Sequence, residues 1–151
     1  MADEGSLVTI LLVEDNLDDV TITKKALKEA KMVNKLYVAR DGQEALDFLR
    51  HEGAYQDPAS SPKPGLMLLD INLPKLSGIE VLGHIKRDPQ LRQIPVVMLT
   101  VSKRDEDIVK SYDNGCNSFI QKPVEFEHFV ELVKQIGLYW GLLNVAPPGG
   151  H

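Results

Sequence analysis

Short apolar runs alternate with longer amphipathic segments along this chain, and the alternation repeats five times. The apolar runs are rich in Val, Ile and Leu, and each is too short to form a helix of ordinary length. Runs of this kind, bounded by polar residues, are typical of strands that are buried on both faces. They predict five strands, at residues 8–13, 35–39, 65–70, 94–100 and 117–121.

The segments between these runs carry apolar residues three or four positions apart, which is the spacing of one helix face. This spacing predicts helices at residues 18–30, 41–53, 78–86, 105–112 and 124 to about 144. Gly53 and Gly115 stand where the second and fourth helices are expected to end. Alternating strands and helices form parallel βαβ units with right-handed crossovers. The predicted class is therefore α/β, with a doubly wound parallel sheet.

Three segments stand outside this alternation. Residues 51–65 hold three of the nine prolines and predict a loop between the second helix and the third strand. Residues 1–7 are expected to be a flexible N-terminus, and residues 145–151 a disordered tail. The remaining stretch, residues 8–144, is then one domain.

Composition narrows the functional class. The chain has 151 residues, 43% of them hydrophobic and 26% charged, as expected for one soluble globular domain. Its net charge of −5 provides no basic field for nucleic acid or an anionic membrane. The single cysteine, Cys116, excludes an internal disulfide, and no apolar run approaches the roughly 20 residues of a membrane span. We therefore expect a cytoplasmic protein.

Polar residues with related chemistry follow the predicted strands. Ligands of open parallel sheets bind outside the carboxyl ends of the strands, so the residues at those ends are candidates for a site. The polar residues at these ends are Glu14, Asp15, Asp70, Thr100, Gln121 and Lys122. One edge of the sheet is thus predicted to gather three carboxylates, a hydroxyl and an ammonium.

This combination suits phosphoryl transfer. Clustered carboxylates at a polar edge bind a hard divalent ion such as Mg²⁺, which neutralises and polarises a phosphoryl group. A carboxylate can itself attack phosphorus and form an aspartyl-phosphate. Lys122 and Thr100 would then hold the remaining phosphoryl oxygens through hydrogen bonds.

Four motifs carry a resemblance to a known family: "LLVEDN", "LMLLDINLPKLSG", "VVMLT" and "KP". In this order and spacing, over residues 8–137, the chain resembles the receiver domains of two-component response regulators. The resemblance implies the flavodoxin-like fold with strand order 2-1-3-4-5. It also implies that the partner is a histidine kinase. The implied chemistry is limited to self-catalysed phosphoryl transfer and autodephosphorylation, so we do not expect an enzyme acting on external substrates.

The same resemblance implies a role for individual residues. Asp70 would be the phosphoacceptor, and Lys122 would pair with the phosphoryl group. Thr100 and Phe119 would be the conformational switch, and Pro123 would follow a cis peptide bond. The implied ligands of Mg²⁺ are Glu14, Asp15, Asp70 and the backbone carbonyl of Asn72.

A narrower resemblance is to the single-domain regulators encoded with cyanobacterial and other bacterial phytochromes. The features that carry it are the proline-bearing loop at 51–65, "LPKLSG", "RDPQLRQIPVVMLT" and the C-terminal "LYWGLL". It implies that the kinase partner is of the phytochrome type.

Several polar residues receive a purely structural interpretation. Asp18 and Asp19 are expected to favour the positive end of the first helix and not to bind metal. Cys116 is expected to be a packed thiol without a redox role. The four histidines share no metal-like spacing and are interpreted as surface residues; they are His51, His84, His128 and His151.

The last predicted helix is apolar beyond one face. Its main stripe consists of Phe126, Phe129, Val130, Val133, Ile136 and Trp140. An adjoining flank consists of Leu132, Tyr139 and Leu143. Because an amphipathic helix covers a sheet with one stripe, the flank favours a homodimer, although the extension folding back on its own domain stays open as an alternative.

Two other functions remain open. A Mg²⁺-dependent phosphohydrolase also uses an aspartyl-phosphate but needs a second acid near the nucleophile, and here Asn72 stands two residues after Asp70. A phosphorylation-independent interaction module on the same fold is the other alternative, which the complete set of site residues argues against.

Overall fold

The computed structural model describes residues 9–29, 35–101 and 118–135, which form one parallel sheet with helices on both faces. The strands are Ile10–Val13 (β1), Leu36–Ala39 (β2), Leu66–Asp70 (β3), Val96–Thr100 (β4) and Ser118–Gln121 (β5). The described helices are Leu17–Glu29 (α1), Gly42–Arg50 (α2), Gly78–Arg87 (α3) and Phe126–Gln135 (α4). The strand order is β2-β1-β3-β4-β5 with all neighbours parallel, so the predicted α/β class and strand order are confirmed.

The three central strands are completely buried, and their side chains alternate between two separate cores. One core joins one face of the sheet to α2 and α3, and its strand residues include Leu11, Val13, Met67, Leu69 and Met98. The other core joins the opposite face to α1 and α4, and its strand residues include Ile10, Leu12, Leu68, Val97 and Leu99. Burial on both faces explains why these strands appear in the sequence as unbroken apolar runs.

The structure differs from the prediction at the end of the second helix and at the start of the fourth strand. The second helix ends at Arg50, not near Gly53, because His51 adopts a left-handed conformation (φ 58°) and caps it. The imidazole Nε2 of His51 donates to the carbonyl of Ser61 at 2.9 Å, so its interpretation as a simple surface residue is wrong. The fourth strand begins at Val96 and not at residue 94, because Ile94 belongs to the preceding turn. The Ile94 N–H closes that turn by donating to the Leu91 carbonyl.

The predicted loop at residues 51–65 is packed onto the domain. It contains a short 3₁₀ turn, Gly53–Tyr55, and a buried serine, Ser61. The Tyr55 hydroxyl donates to Glu44 Oε1 at 2.7 Å, and burial together with this bond raises the pKa of Tyr55 to about 12. The Lys63 ammonium donates to the Gln90 carbonyl at 2.8 Å. The loop is therefore an ordered part of the fold.

The last helix buries a different set of residues from the one predicted. Phe129 and Val133 are buried as expected, but Leu132 is buried as well, so its assignment to a flank is wrong. Phe126 is 39% exposed and is not part of the buried stripe. Phe126 is the first residue of α4, and its side chain leans toward the N-terminus of the helix, as helical side chains do. Together with Ile22 of α1 it lines a groove of about 410 Å³.

Several predictions lie outside the described residues. They are the fourth predicted helix at 105–112, Cys116, the helix beyond residue 135 with Ile136, Tyr139, Trp140 and Leu143, His151, and the segments 1–7 and 145–151. Within the described residues, no helix is both long enough and apolar enough to span a membrane.

Gly78 is required by a close backbone approach. A Cβ atom at this position would lie 2.1 Å from the carbonyl oxygen of Asp70 and 2.8 Å from the Cα of Ile71. The Gly78 N–H also donates to the Ile71 carbonyl at 2.8 Å, which closes the loop between β3 and α3. The start of α3 therefore fixes the backbone at the end of β3.

We predict that Gly78→Ala destabilises the domain by about 1–3 kcal/mol, because the new methyl group must push the Asp70 backbone aside. The control is Gly83→Ala in the same helix, where the new Cβ meets only the flexible end of Arg87. The control is expected to gain about 0.5–1 kcal/mol, since alanine favours a helix interior. Urea unfolding of both variants measures the difference, and equal stabilities would contradict the close-approach explanation.

We also predict that Phe129→Ala costs about 3–5 kcal/mol, because it leaves a cavity in the core under α4. Phe126→Ala, three positions earlier in the same helix, is expected to cost about 1 kcal/mol or less because Phe126 is partly exposed. Chemical denaturation of the two variants tests which face of α4 is buried. A larger loss in Phe126→Ala would refute the observed orientation of the helix.

Candidate functional site

The parallel sheet brings the predicted polar residues to one edge. Glu14 follows β1 directly, Asp70 ends β3 and Thr100 ends β4. The register aligns these ends, since Asp70 pairs with Leu99 and Thr100 with Gln121, the last residue of β5. Lys122 follows immediately, and its backbone N–H donates to the Thr100 carbonyl at 2.8 Å. Residues far apart in sequence thus meet because their strands end at the same level.

Three carboxylates form the centre of this site. Glu14, Asp15 and Asp70 each place one oxygen within 4.8 Å of the others. Glu14 and Asp70 are buried, whereas Asp15 is accessible to solvent. Three hard oxygen donors with one open side are the ligand set that Mg²⁺ or a similar divalent ion prefers. The residues present therefore fit the metal that the sequence predicts.

Lys122 is surrounded by carboxylates. Its Nζ lies 2.8 Å from Glu14 Oε1, 2.7 Å from Asp19 Oδ2 and 3.2 Å from Asp70 Oδ2. The Lys122 side chain is largely buried, so these ion pairs are only weakly screened by water. The peptide bond from Lys122 to Pro123 is cis, as predicted, and the chain turns there from β5 toward α4. The ammonium thus balances part of the negative charge at the edge of the sheet.

Asp19 is the site residue that the sequence interpretation missed. It does lie with Asp18 in the first turn of α1, as predicted, but its carboxylate also pairs with Lys122. A signal was available in the sequence, because α1 starts directly after β1 and its first turn must lie at the same edge of the sheet. The prediction for Asp19 thus holds for its place in the helix but omits its ion pair with Lys122, whereas Asp18 is exposed and makes no ion pair within the described residues.

Burial controls the protonation of Glu14. Removal from water and the interaction with Asp70 together raise the pKa of Glu14 to about 7, while Lys122 opposes the shift. Glu14 Oε1 is buried and, although it is close to Lys122 Nζ, makes no well-aligned hydrogen bond within the described residues. A buried oxygen of this kind is suited to a metal ion, because a bound cation supplies the missing partner.

The pKa of Lys122 is shifted in favour of its charged form, whereas that of Glu14 is shifted in favour of its uncharged form. Burial by itself lowers the pKa of Lys122, but the short ion pairs with Asp19 and Glu14 and the charge of Asp70 raise it above its ordinary value. The ammonium is therefore positively charged at every physiological pH. It is a permanent hydrogen-bond donor at the mouth of the site.

Asp70 is held by its own loop and by Lys122. Its Oδ1 accepts a hydrogen bond from the Asn72 N–H at 3.3 Å, and its Oδ2 faces Lys122. The Gly78 backbone passes so close to the Asp70 carbonyl that a Cβ at this position would clash with it. Asn72 thus lies beside the Asp70 carboxylate, and the role of its carbonyl as a metal ligand stays a prediction.

The two predicted switch residues differ in burial. Thr100 is buried at the end of β4, next to the carboxylate cluster. Phe119 lies in β5, two residues before the end of that strand, and packs half-buried against the core under α2 and α3. The structure places both on the strands that border the site, and their switching role stays a prediction.

The arrangement combines the buried Asp70 carboxylate, a group of oxygens that fits a divalent cation and a fixed ammonium. Such a site can receive a phosphoryl group, because the cation and ammonium offset the charge that two anions bring together. The geometry gives no comparable support for chemistry on an uncharged substrate.

Comparison with known proteins gives a consistent result. The family model of the response regulator receiver domain matches residues 10–134 of this chain. The response regulator Rcp1 of Synechocystis sp. is 39% identical over 141 residues, which cover 93% of this chain and 94% of Rcp1.

Solved structures extend the comparison. The bacteriophytochrome response regulator RtBRR is 46% identical with a TM-score of 0.84, over 95% of this chain and 86% of RtBRR. The Mn²⁺-bound form of Rcp1 has a TM-score of 0.72 over 93% of this chain and 99% of that one, at 39% identity. The phosphorylated cyanobacterial phytochrome response regulator RcpA is 42% identical with a TM-score of 0.71, over 89% of this chain and 94% of RcpA. The chain therefore belongs to the response regulator receiver family.

Proposed function

We propose that this protein is a single-domain response regulator that accepts a phosphoryl group from a histidine kinase onto Asp70. The observation that carries the proposal is the convergence of Glu14, Asp15, Asp70 and Lys122 at one edge of the sheet. Glu14, Asp15, Asp70 and the Asn72 carbonyl would hold Mg²⁺. When bound, the metal supplies charge neutralisation and polarises the phosphoryl group.

The chain's own residues then account for the transfer. An Asp70 carboxylate oxygen attacks phosphorus, the phosphorus–nitrogen bond of the phosphohistidine breaks, and its electron pair stays on the imidazole. The Lys122 ammonium, already within 3.2 Å of Asp70, donates a hydrogen bond to a phosphoryl oxygen. The hydrogen bonds from the Asn72 N–H and from Lys122 keep the Asp70 carboxylate oriented.

Signalling would follow from a change of conformation. We propose that the phosphoryl group attracts the Thr100 hydroxyl, and that Phe119, half-buried on the neighbouring strand, responds by changing its packing. Output then comes through binding of a partner protein and not through nucleic acid or a membrane. The protein would turn over no external substrate beyond its own phosphoryl transfer and autodephosphorylation.

The names of the relatives support a kinase of the phytochrome type. RtBRR is described as a bacteriophytochrome response regulator, and RcpA as a cyanobacterial phytochrome response regulator. Both share more than 40% of their residues with this chain. We propose that the partner kinase is a bacterial phytochrome and that the two proteins meet in the cytoplasm. The Mn²⁺-bound form of Rcp1 supports a divalent ion at the acidic cluster.

The alternatives make different predictions. A phosphorylation-independent module would use the same fold without modification of Asp70. A phosphohydrolase would release phosphate repeatedly from a simple phosphomonoester, and the side chain two residues after Asp70 is the amide of Asn72, which is not an acid.

We expect acetyl phosphate with Mg²⁺ to add one phosphoryl group to the protein, because Asp70 is the nucleophile at the centre of the site. Intact-mass spectrometry detects the adduct, and removing the metal with a chelator should abolish it. Asp70→Asn keeps the size of the side chain and removes the nucleophile, so it should not be modified. Asp57→Asn, in the exposed loop, is the control and should be modified like the wild type. An equal adduct in Asp70→Asn would overturn the assignment.

We further propose a homodimer through the C-terminal helix region, because the sequence carries further apolar residues after Gly137, among them Tyr139, Trp140 and Leu143. Light scattering over a concentration series is expected to show dimers for the full chain. A chain ending at Gly137 should show weaker association, because it lacks the apolar residues beyond that point. If both proteins stay monomeric at every concentration, the extension packs on its own domain and the proposal is wrong.

A further inference from the structure

Asp19 is the member of the charged cluster to which neither the sequence motifs nor the proposed phosphoryl transfer gives a role. Its carboxylate makes the shortest of the three ion pairs of Lys122, at 2.7 Å, and is about one quarter exposed (27%). The other two carboxylates on Lys122, Glu14 and Asp70, are nearly inaccessible. Asp19 therefore holds the ammonium from the solvent side of the site.

The start of α1 directs this carboxylate toward Lys122. The Asn16 side chain accepts a hydrogen bond from the Asp19 N–H at 3.0 Å, which fixes Asp19 as the third residue of the helix. In a capping box, the side chain at this position would reach back to the backbone N–H of the capping residue. Here that N–H, of Asn16, donates to Glu14 Oε2 at 3.3 Å. The Asp19 carboxylate is thus available for Lys122.

A metal ion and Lys122 compete for two of the same carboxylates, Glu14 and Asp70. The ammonium has three N–H donors and faces three carboxylates, of which Glu14 and Asp70 also belong to the metal-binding group. A divalent cation that binds these two carboxylates takes two of the three partners of Lys122. The remaining partner is Asp19, which is not part of the metal-binding group.

We propose that Asp19 is a positioning residue that keeps Lys122 paired at the rim of the site when a divalent cation takes Glu14 and Asp70. Metal and lysine then occupy the site together, which is the arrangement that phosphoryl transfer requires. Without Asp19, the ammonium stays on Glu14 and Asp70 and opposes the entry of the cation. This inference rests on the proposed function, since it concerns the same metal and the same lysine.

The test compares two neighbouring carboxylates. Asp19→Asn and Asp18→Asn each remove one negative charge from the first turn of α1, but only Asp19 contacts Lys122. Isothermal titration with Mg²⁺ alone is expected to show binding weakened about fivefold or more in Asp19→Asn. Asp18→Asn should change it less than about twofold, because exposed charges are screened. Asp19→Glu restores a carboxylate and should recover most of the affinity.

A second measurement does not depend on the metal or on phosphorylation. In isotope-labelled protein without Mg²⁺, the ammonium resonance of Lys122 should be visible by NMR because three carboxylates hold it, and Lys122→Arg assigns it by its loss. This resonance should shift or broaden in Asp19→Asn and stay unchanged in Asp18→Asn.

A third measurement follows phosphorylation itself. Phosphorylation by acetyl phosphate should slow in Asp19→Asn at low Mg²⁺ and recover at excess Mg²⁺.

The outcomes separate this inference from the proposed function. An unchanged Lys122 resonance with unchanged Mg²⁺ affinity in Asp19→Asn overturns the positioning role. Equal effects of Asp18→Asn and Asp19→Asn also overturn it, because they indicate only the loss of a nearby charge. If wild-type protein accepts no phosphoryl group, the proposed function fails, while the calorimetric and NMR results still decide whether Asp19 positions Lys122.

Discussion

The structure depends on the balance of charge between one ammonium and a group of carboxylates at the edge of the sheet. Glu14, Asp19 and Asp70 all contact Lys122, and Asp15 adds a fourth negative charge beside them. Lys122 cannot balance four carboxylates alone, and burial together with the neighbouring Asp70 raises the pKa of Glu14 to about 7. The site is therefore stable with its lysine and remains suited to a further cation, which is the basis for metal-dependent phosphoryl transfer.

The sheet makes this crowding possible. Two apolar cores, one on each face, hold the central strands with no exposed side chains, so the strand ends have little freedom to separate. Backbone hydrogen bonds at the edge add to this rigidity: the Gly78 N–H donates to the Ile71 carbonyl, and the Lys122 N–H donates to the Thr100 carbonyl. The stability of the hydrophobic core thus offsets the repulsion between like charges, and the site exists because the strands cannot relax away from it.

The sequence predicted most of the site because strand ends can be located from apolar runs. Glu14, Asp15, Asp70, Thr100 and Lys122 were all assigned to one edge by this argument, and the structure places them there. Asp19 was assigned to the helix dipole instead, because local spacing describes its own helix and not the lysine that lies 103 positions later in the chain. His51 and Leu132 were misassigned for a similar reason, since a left-handed cap and the buried face of α4 depend on contacts with other elements.

The amino-acid sequence by itself determined the alternation of strands and helices, the parallel sheet and the chemistry available at its edge. These properties follow from residue type and period, which are local and repeat along the chain. Only the tertiary structure decided which carboxylates share Lys122, how deeply Glu14 is buried and which residue of α4 faces the core. Those properties depend on distances of a few ångströms between elements that are remote in sequence, and electrostatic and packing energies change steeply over such distances.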